Sequence, residues 1–196
     1  MTDTTTPTVS PEAELDALDR VLTATGDLLA GVRPEQLHDP TPCPDYDVSA
    51  LVGHVVAWVR VFASGLAEGE PVEQPDVFVA DDPAAEFRAA TAQALDGVRR
   101  LGLDREVHLT SGGVPARSAL RMMIGEYVAH GWDLATATGQ PVPYTDDVAD
   151  LAADGMAPML LDEYRGPGMP FAHAVPVGDD ARPLVRFLCF TGRDAR

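Results

Sequence analysis

The sequence predicts an all-α fold in the main, an antiparallel four-helix bundle with a short hairpin and a small C-terminal appendage. Three observations predict it. Four long stretches repeat apolar side chains at helical spacing. Proline-rich, acidic segments separate most of them. Only one short stretch alternates as a strand does. Helices of that length joined by loops bury their apolar stripes against one another.

Residues 1–10 are Thr-rich and read as a disordered tail. The first helix follows in "SPEAELDALDRVLTATGDLLAGV". Ser10 is a candidate N-cap, Pro11 takes the first helical position, and acids fill the first turn. Leu15, Leu18, Val21, Leu22, Leu28 and Leu29 form its apolar stripe. "RPEQLHDPTPCPDYD" holds four prolines in fifteen residues and is predicted as a loop. The second helix starts near Asp47 and runs to about Glu68, with Leu51, Val55, Trp58, Val59, Phe62 and Leu66 inward. His54 lies on or beside that face. A second Pro-rich link leads to a third helix over Pro83–Leu101, with Phe87, Ala90, Ala94, Leu95 and Val98 inward. "REVHLTSGGVPARS" reads as a hairpin turning at Gly112-Gly113. The fourth helix covers about Arg117–Thr138 and is ended by Gly139, with Pro141 just beyond. A shorter helix is expected over about Asp146–Leu161, then a Gly/Pro-rich loop, an extended "FAHAVPV" and a last helical stretch in "ARPLVRFLCF". Residues 11–162 are thus read as the bundle and 163–196 as an extension packing on it.

Composition narrows the function. The chain has 196 residues, 45% apolar and 23% charged, as expected of one soluble domain. Net charge is 14 − 31 = −17, which argues against nucleic acid and anionic membranes as partners. All fourteen basic residues are Arg, so lysine chemistry is excluded. Two cysteines are too few for a disulfide framework. No signal peptide and no run of ~18 apolar residues is visible. A reduced, cytoplasmic protein is expected, monomer or homodimer, acting on small molecules.

"RMMIGEYVAHGWDLATATGQ" carries the candidate chemistry. Glu126 and His130 are four apart and His130 and Asp133 three apart, so all three stack on one helix face. His54 on a facing helix would complete two imidazoles and one carboxylate, a donor set for zinc, nickel or iron. No fourth protein ligand is evident, and three ligands with an open position suit a catalytic metal. The plainer reading is a surface Glu–His pair and a core histidine. Asp133 reads as an acceptor that orients His130 or as a partner of Arg or solvent. His38 and His173 fall in loops, and His108 in an outward strand position. Cys43 is either a thiol at the mouth of the site or a small buried residue; Cys189 reads as core. No Ser-His-Asp set, phosphate-cradling loop or CxxC is present.

"TPCPDYDVSALVGHV" resembles the T-P-C-x-x-[aromatic]-x-V-x-x-L-x-x-H signature of the DinB-like superfamily. It is closest to the branch containing mycothiol-dependent maleylpyruvate isomerase. "EYVAHGWDLATATGQP" is similar to that branch's E-x3-H-x-x-D-L-A-x-A-x-G segment. "LVRFLCFTGRDAR" resembles its closing FLGRDP tail, with Thr191 intervening and Ala195 in place of the proline. The resemblance spans roughly 11–196. It implies a divalent metal held by His54, Glu126 and His130, and mycothiol as cosubstrate. Arg193 in the tail is the best candidate for contacting an anionic group, or equally a structural ion pair. The expected function is metal-dependent activation of a low-molecular-weight thiol, for S-transfer to a small electrophile or for its isomerisation. The alternatives are a metal-assisted hydrolase and a non-catalytic metal-binding or interaction protein.

Overall fold

A computed structural model describes residues 9–72, 79–110, 112–169 and 171–196. The predicted tail therefore lies outside the described residues, apart from Val9 and Ser10. Three of the four long helices begin where a local cap dictates. Ser10 Oγ accepts from Ala13 N–H at the start of α1 (Pro11–Ala30). Asp47 accepts from Ala50 N–H at the start of α2 (Val48–Ala67), and Asp82 from Ala85 N–H at the start of α3 (Pro83–Leu101). Each cap satisfies a backbone donor that a helix start leaves free. The longest helix, α4 (Ala116–Thr138), has no side-chain cap. It runs directly out of a hairpin and stops at Gly139, whose φ of 67° suits the left-handed region.

The four helices close into a ring. α1 packs on α3 and α4, and α2 packs on the same pair, so α1 and α2 lie across a diagonal. Leu18, Leu51, Val59, Leu66, Phe87, Leu120, Ile124 and Tyr127 are all sealed in the shared core. Length and composition alone would let α2 cross a bilayer. Its apolar residues are instead buried against α3 and α4, and its exposed surface is small.

The hairpin differs from expectation. β1 (Glu106–Leu109) pairs antiparallel with β2 (Gly112–Pro115), and Leu109 stands opposite Gly112. The diglycine thus belongs to the second strand and not to the turn. His108 faces outward as predicted, while Val107 is buried.

The shorter helix also differs. A 3₁₀ turn at Asp146–Val148 leads into α5 (Ala149–Met156), which ends well before Leu161. Pro158 explains the stop, since proline lacks an N–H and disfavours helical geometry in the preceding residue. α5 lies against α4, and α6 (Pro183–Phe190) lies against α5. "FAHAVPV" forms no strand among the described residues; Phe171 makes one isolated bridge to Arg165, and Val175 N–H donates to the Cys189 carbonyl.

The α4–α5 contact depends on backbone approach. A Cβ on Gly155 would sit 2.2 Å from the Arg121 carbonyl. Gly155→Ala is therefore expected to force the helices apart and cost about 1–3 kcal/mol. Chemical denaturation should show a lower midpoint; an unchanged midpoint would contradict this packing.

A second buried feature had no local signal. Glu14, in the first turn of α1, is fully buried, and Arg121 of α4 donates to it through Nε at 2.8 Å and through Nη2. Arg117 Nη1 lies 3.6 Å from its other oxygen. This ion cluster ties α1 to the opening turns of α4, which carries most of the site.

Candidate metal centre

The site is built on one face of α2 and one of α4. His54, six residues beyond the start of α2, faces Glu126 across the groove, with His54 Nε2 2.8 Å from Glu126 Oε1. His130, one turn along α4, places its Nε2 3.4 Å from the same oxygen. The three ligand atoms all lie within 4.8 Å of one another. Donors bound to one divalent ion at about 2.0–2.2 Å must stand roughly 3–4 Å apart. The two carboxylate–imidazole separations, 2.8 and 3.4 Å, lie close to that spacing, and two imidazoles with one carboxylate are the right donor types for such an ion.

Outer partners fix how the rings point. His130 Nδ1–H donates to Asp133 Oδ2 at 3.1 Å. Arg193 Nη2 lies 3.3 Å from the same Nδ1 but is itself a donor, so the carboxylate holds the proton there. That tautomer leaves the Nε2 lone pair turned into the site. Asp133 is fully buried and also accepts from Arg193, through Nε at 3.0 Å and Nη2 at 2.6 Å. Asp133 thus meets both His130 and Arg193, in the protein interior and not near the helix surface where a partner of Arg or solvent was expected, and Arg193 is engaged in an ion pair. Tyr46 Oη lies 3.1 Å from His54 Nδ1 and plays the matching part on α2.

Tyr46 was not singled out as functional by the sequence reading. Its signal lay in the quoted T-P-C-x-x-aromatic segment, eight residues before His54. That segment is folded tightly over α2. Thr41 Oγ1 lies 2.9 Å from the carbonyls of both Cys43 and Tyr46 and accepts from Cys43 N–H. Tyr46 N–H donates to the Cys43 carbonyl.

Electrostatics keep the Glu126 carboxylate in ligand form. Burial would raise the Glu126 carboxyl, but His130 and His54 outweigh it and bring it down to about 2. Burial likewise opposes ionisation of Asp133, and the bonds from His130 and Arg193 overcome it, holding the carboxyl below its usual range. Burial pushes the Cys43 thiol up, and the Asp133 charge adds to this.

These donors line a cavity of about 820 Å³, within the range of sites for small molecules. Cys43, Tyr46 and Arg193 line it too, as do the end of α5 and residues 166–169 and 171–173. Cys43 is half-buried in that wall, which favours the reading of a thiol beside the site; Cys189 is fully buried. His173 also lines the cavity, whereas His38 and His108 are well exposed.

The sequence model of the mycothiol maleylpyruvate isomerase N-terminal domain matches residues 18–135, more than half of the chain. The chain belongs to this family. His54, Glu126, His130 and Asp133 fall inside the matched span, and Arg193 and the cavity-lining residues from Met156 onward fall outside it. Uncharacterized proteins from two strains of Mycobacterium tuberculosis are 34% identical over 186 residues, covering 93% of this chain and 98% of theirs. The crystal structure of the mycothiol-dependent maleylpyruvate isomerase is similar at a TM-score of 0.58 and 16% identity, over 80% of this chain and 71% of that one. A histidine-to-alanine mutant of that isomerase matches at a TM-score of 0.60. At this identity the likeness is one of fold: the mainly helical bundle of the isomerase family.

Proposed function

We propose that this chain is a cytoplasmic, mycothiol-dependent enzyme that binds a divalent ion at His54, Glu126 and His130. It isomerises, or transfers sulfur to, a small electrophile. The observation that carries the reading is the convergence of these three donors, from two helices, on the wall of one large cavity. A zinc, nickel or iron ion held there supplies Lewis acidity, which lowers the pKa of a thiol from about 8.5 by several units.

The residues of the chain do the rest by position. Glu126 is ionised at neutral pH and so serves as an anionic donor, not as a general acid. Asp133 keeps the His130 proton on Nδ1, and Tyr46 steadies the His54 ring. The cavity has the volume to hold thiol and electrophile together. Addition of the thiol sulfur to a conjugated alkene forms one C–S bond. Expulsion breaks the same bond, returning the thiol and an isomerised double bond; trapping of the adduct gives S-transfer. Both cysteines are free, in keeping with a reducing compartment.

The test is turnover of a conjugated electrophile by the purified chain, with and without mycothiol and with and without a chelator. Activity is expected to need both mycothiol and a bound metal, falling more than about tenfold on chelation and returning with added metal. Turnover without thiol would favour hydrolysis instead, and turnover unchanged by chelation would overturn the metal reading.

A further inference from the structure

The cavity is not polar throughout. His54, Trp58 and Phe62 recur at four-residue spacing on α2, and His130, Glu126 and Met122 at the same spacing on α4; all six line the cavity. Side chains at that spacing stack along one helix face. Each helix therefore presents its donor at one end and hydrocarbon beyond it. Both series lead toward the hairpin, which lies against α2 and α4. From His54 to Phe62 the slot runs about 12 Å along α2, at 1.5 Å per residue. Met156, Met159 and Phe171 close its other side. Methionine thioethers are adaptable, polarizable surfaces for irregular apolar bodies.

The charges point the same way. The chain has no lysine, and among the described lining residues Arg193 is the one arginine. Its guanidinium already engages Asp133. Asp45 and Glu126 are the lining acids. Among the described lining residues no unpaired guanidinium or ammonium is left for an anionic substrate, and the chain as a whole carries −17, a field that repels anions. A dicarboxylate such as maleylpyruvate, named for the solved relative, would find its two charges unmatched.

From the apolar slot beside the donors we infer that the electrophile is uncharged with an aryl or alkyl body, an enone or an epoxide, and not a small dicarboxylate. This rests on the thiol-dependent reading above. With an enone the thiol sulfur bonds to the β-carbon, the C=C π bond is consumed, and the thiol proton ends on the α-carbon. With an epoxide a C–S bond forms, a C–O bond breaks, and the proton ends on the oxygen.

Calorimetric titration of the full-length, metal-loaded chain tests this without turnover. Benzylacetone, an unreactive counterpart of an aryl enone, is compared with succinate, the matching dianion. Benzylacetone is expected to bind at least tenfold more tightly. Trp58→Ala should weaken it severalfold, and Met122→Arg should shift preference toward succinate. Succinate binding as tightly as benzylacetone, no binding of benzylacetone, or indifference of benzylacetone to both substitutions would overturn the inference. Metal content measured on the same samples separates the two claims. An ion retained with succinate preferred defeats the substrate class alone. No ion, with benzylacetone still preferred, defeats the catalytic reading and leaves the preference of the slot standing.

Discussion

His130→Ala is expected to lower the affinity of the chain for a divalent ion by more than about 100-fold, since loss of even an outer partner of a ligand costs 10–100-fold. The variant removes one of three donors and leaves His54 and Glu126 with an incomplete set. The fold should survive the change. His130 contacts Asp133, but Asp133 keeps its two bonds from Arg193, so no buried charge is orphaned. Metal analysis beside circular dichroism separates the effects: about one ion per chain in the parent, near none in the variant, and equal helical signal in both. Equal metal in both would remove His130 from the site.

Asp133→Ala should act on stability and on metal together. Its carboxylate is fully buried, and the Arg193 side chain that it pairs with is 11% exposed. Without Asp133 the guanidinium keeps the Thr191 carbonyl and the His130 Nδ1, each at 3.3 Å, but loses its paired carboxylate. Removing one partner of a buried ion pair costs about 3–5 kcal/mol, a large share of the stability of a domain this size. The His130 tautomer loses its determinant as well, so metal affinity should fall about 10–100-fold. A double variant, Asp133→Ala with Arg193→Met, tells the roles apart. It should regain much of the stability, because no charge is stranded, and none of the metal affinity. Recovery of both would reduce Asp133 to a structural partner, and a small loss in the single variant would contradict its burial.

What could be read from the sequence was what is local. Ser10, Asp47 and Asp82 cap helices through donors three residues away, so each start was legible. Glu126 and His130 share a face by spacing alone. The placement of His54 opposite them came from the family resemblance as much as from periodicity. What escaped was set by distant partners. Glu14 looked like an ordinary first-turn acid, and only Arg117 and Arg121, a hundred residues on, explain its burial. Asp133 read as having either of two partners because Arg193 lies 60 residues away and closes onto the same carboxylate. The hairpin turn was misassigned to the diglycine because two glycines mark a turn and a register pairing cannot be seen in composition. The cavity-lining residues 166–169 and 171–173 follow no periodic pattern, so nothing marked them as part of the site.

The central claim is that His54, Glu126 and His130 hold one divalent ion with a position left for a thiol. Loading the chain with cobalt(II) and titrating with mycothiol reads this directly in the absorption spectrum. The account predicts a sulfur-to-cobalt charge-transfer band in the near ultraviolet that saturates at one thiol per ion and is absent from His130→Ala. A chain that takes up cobalt but shows an unchanged spectrum on adding thiol, or that takes up none, would contradict it.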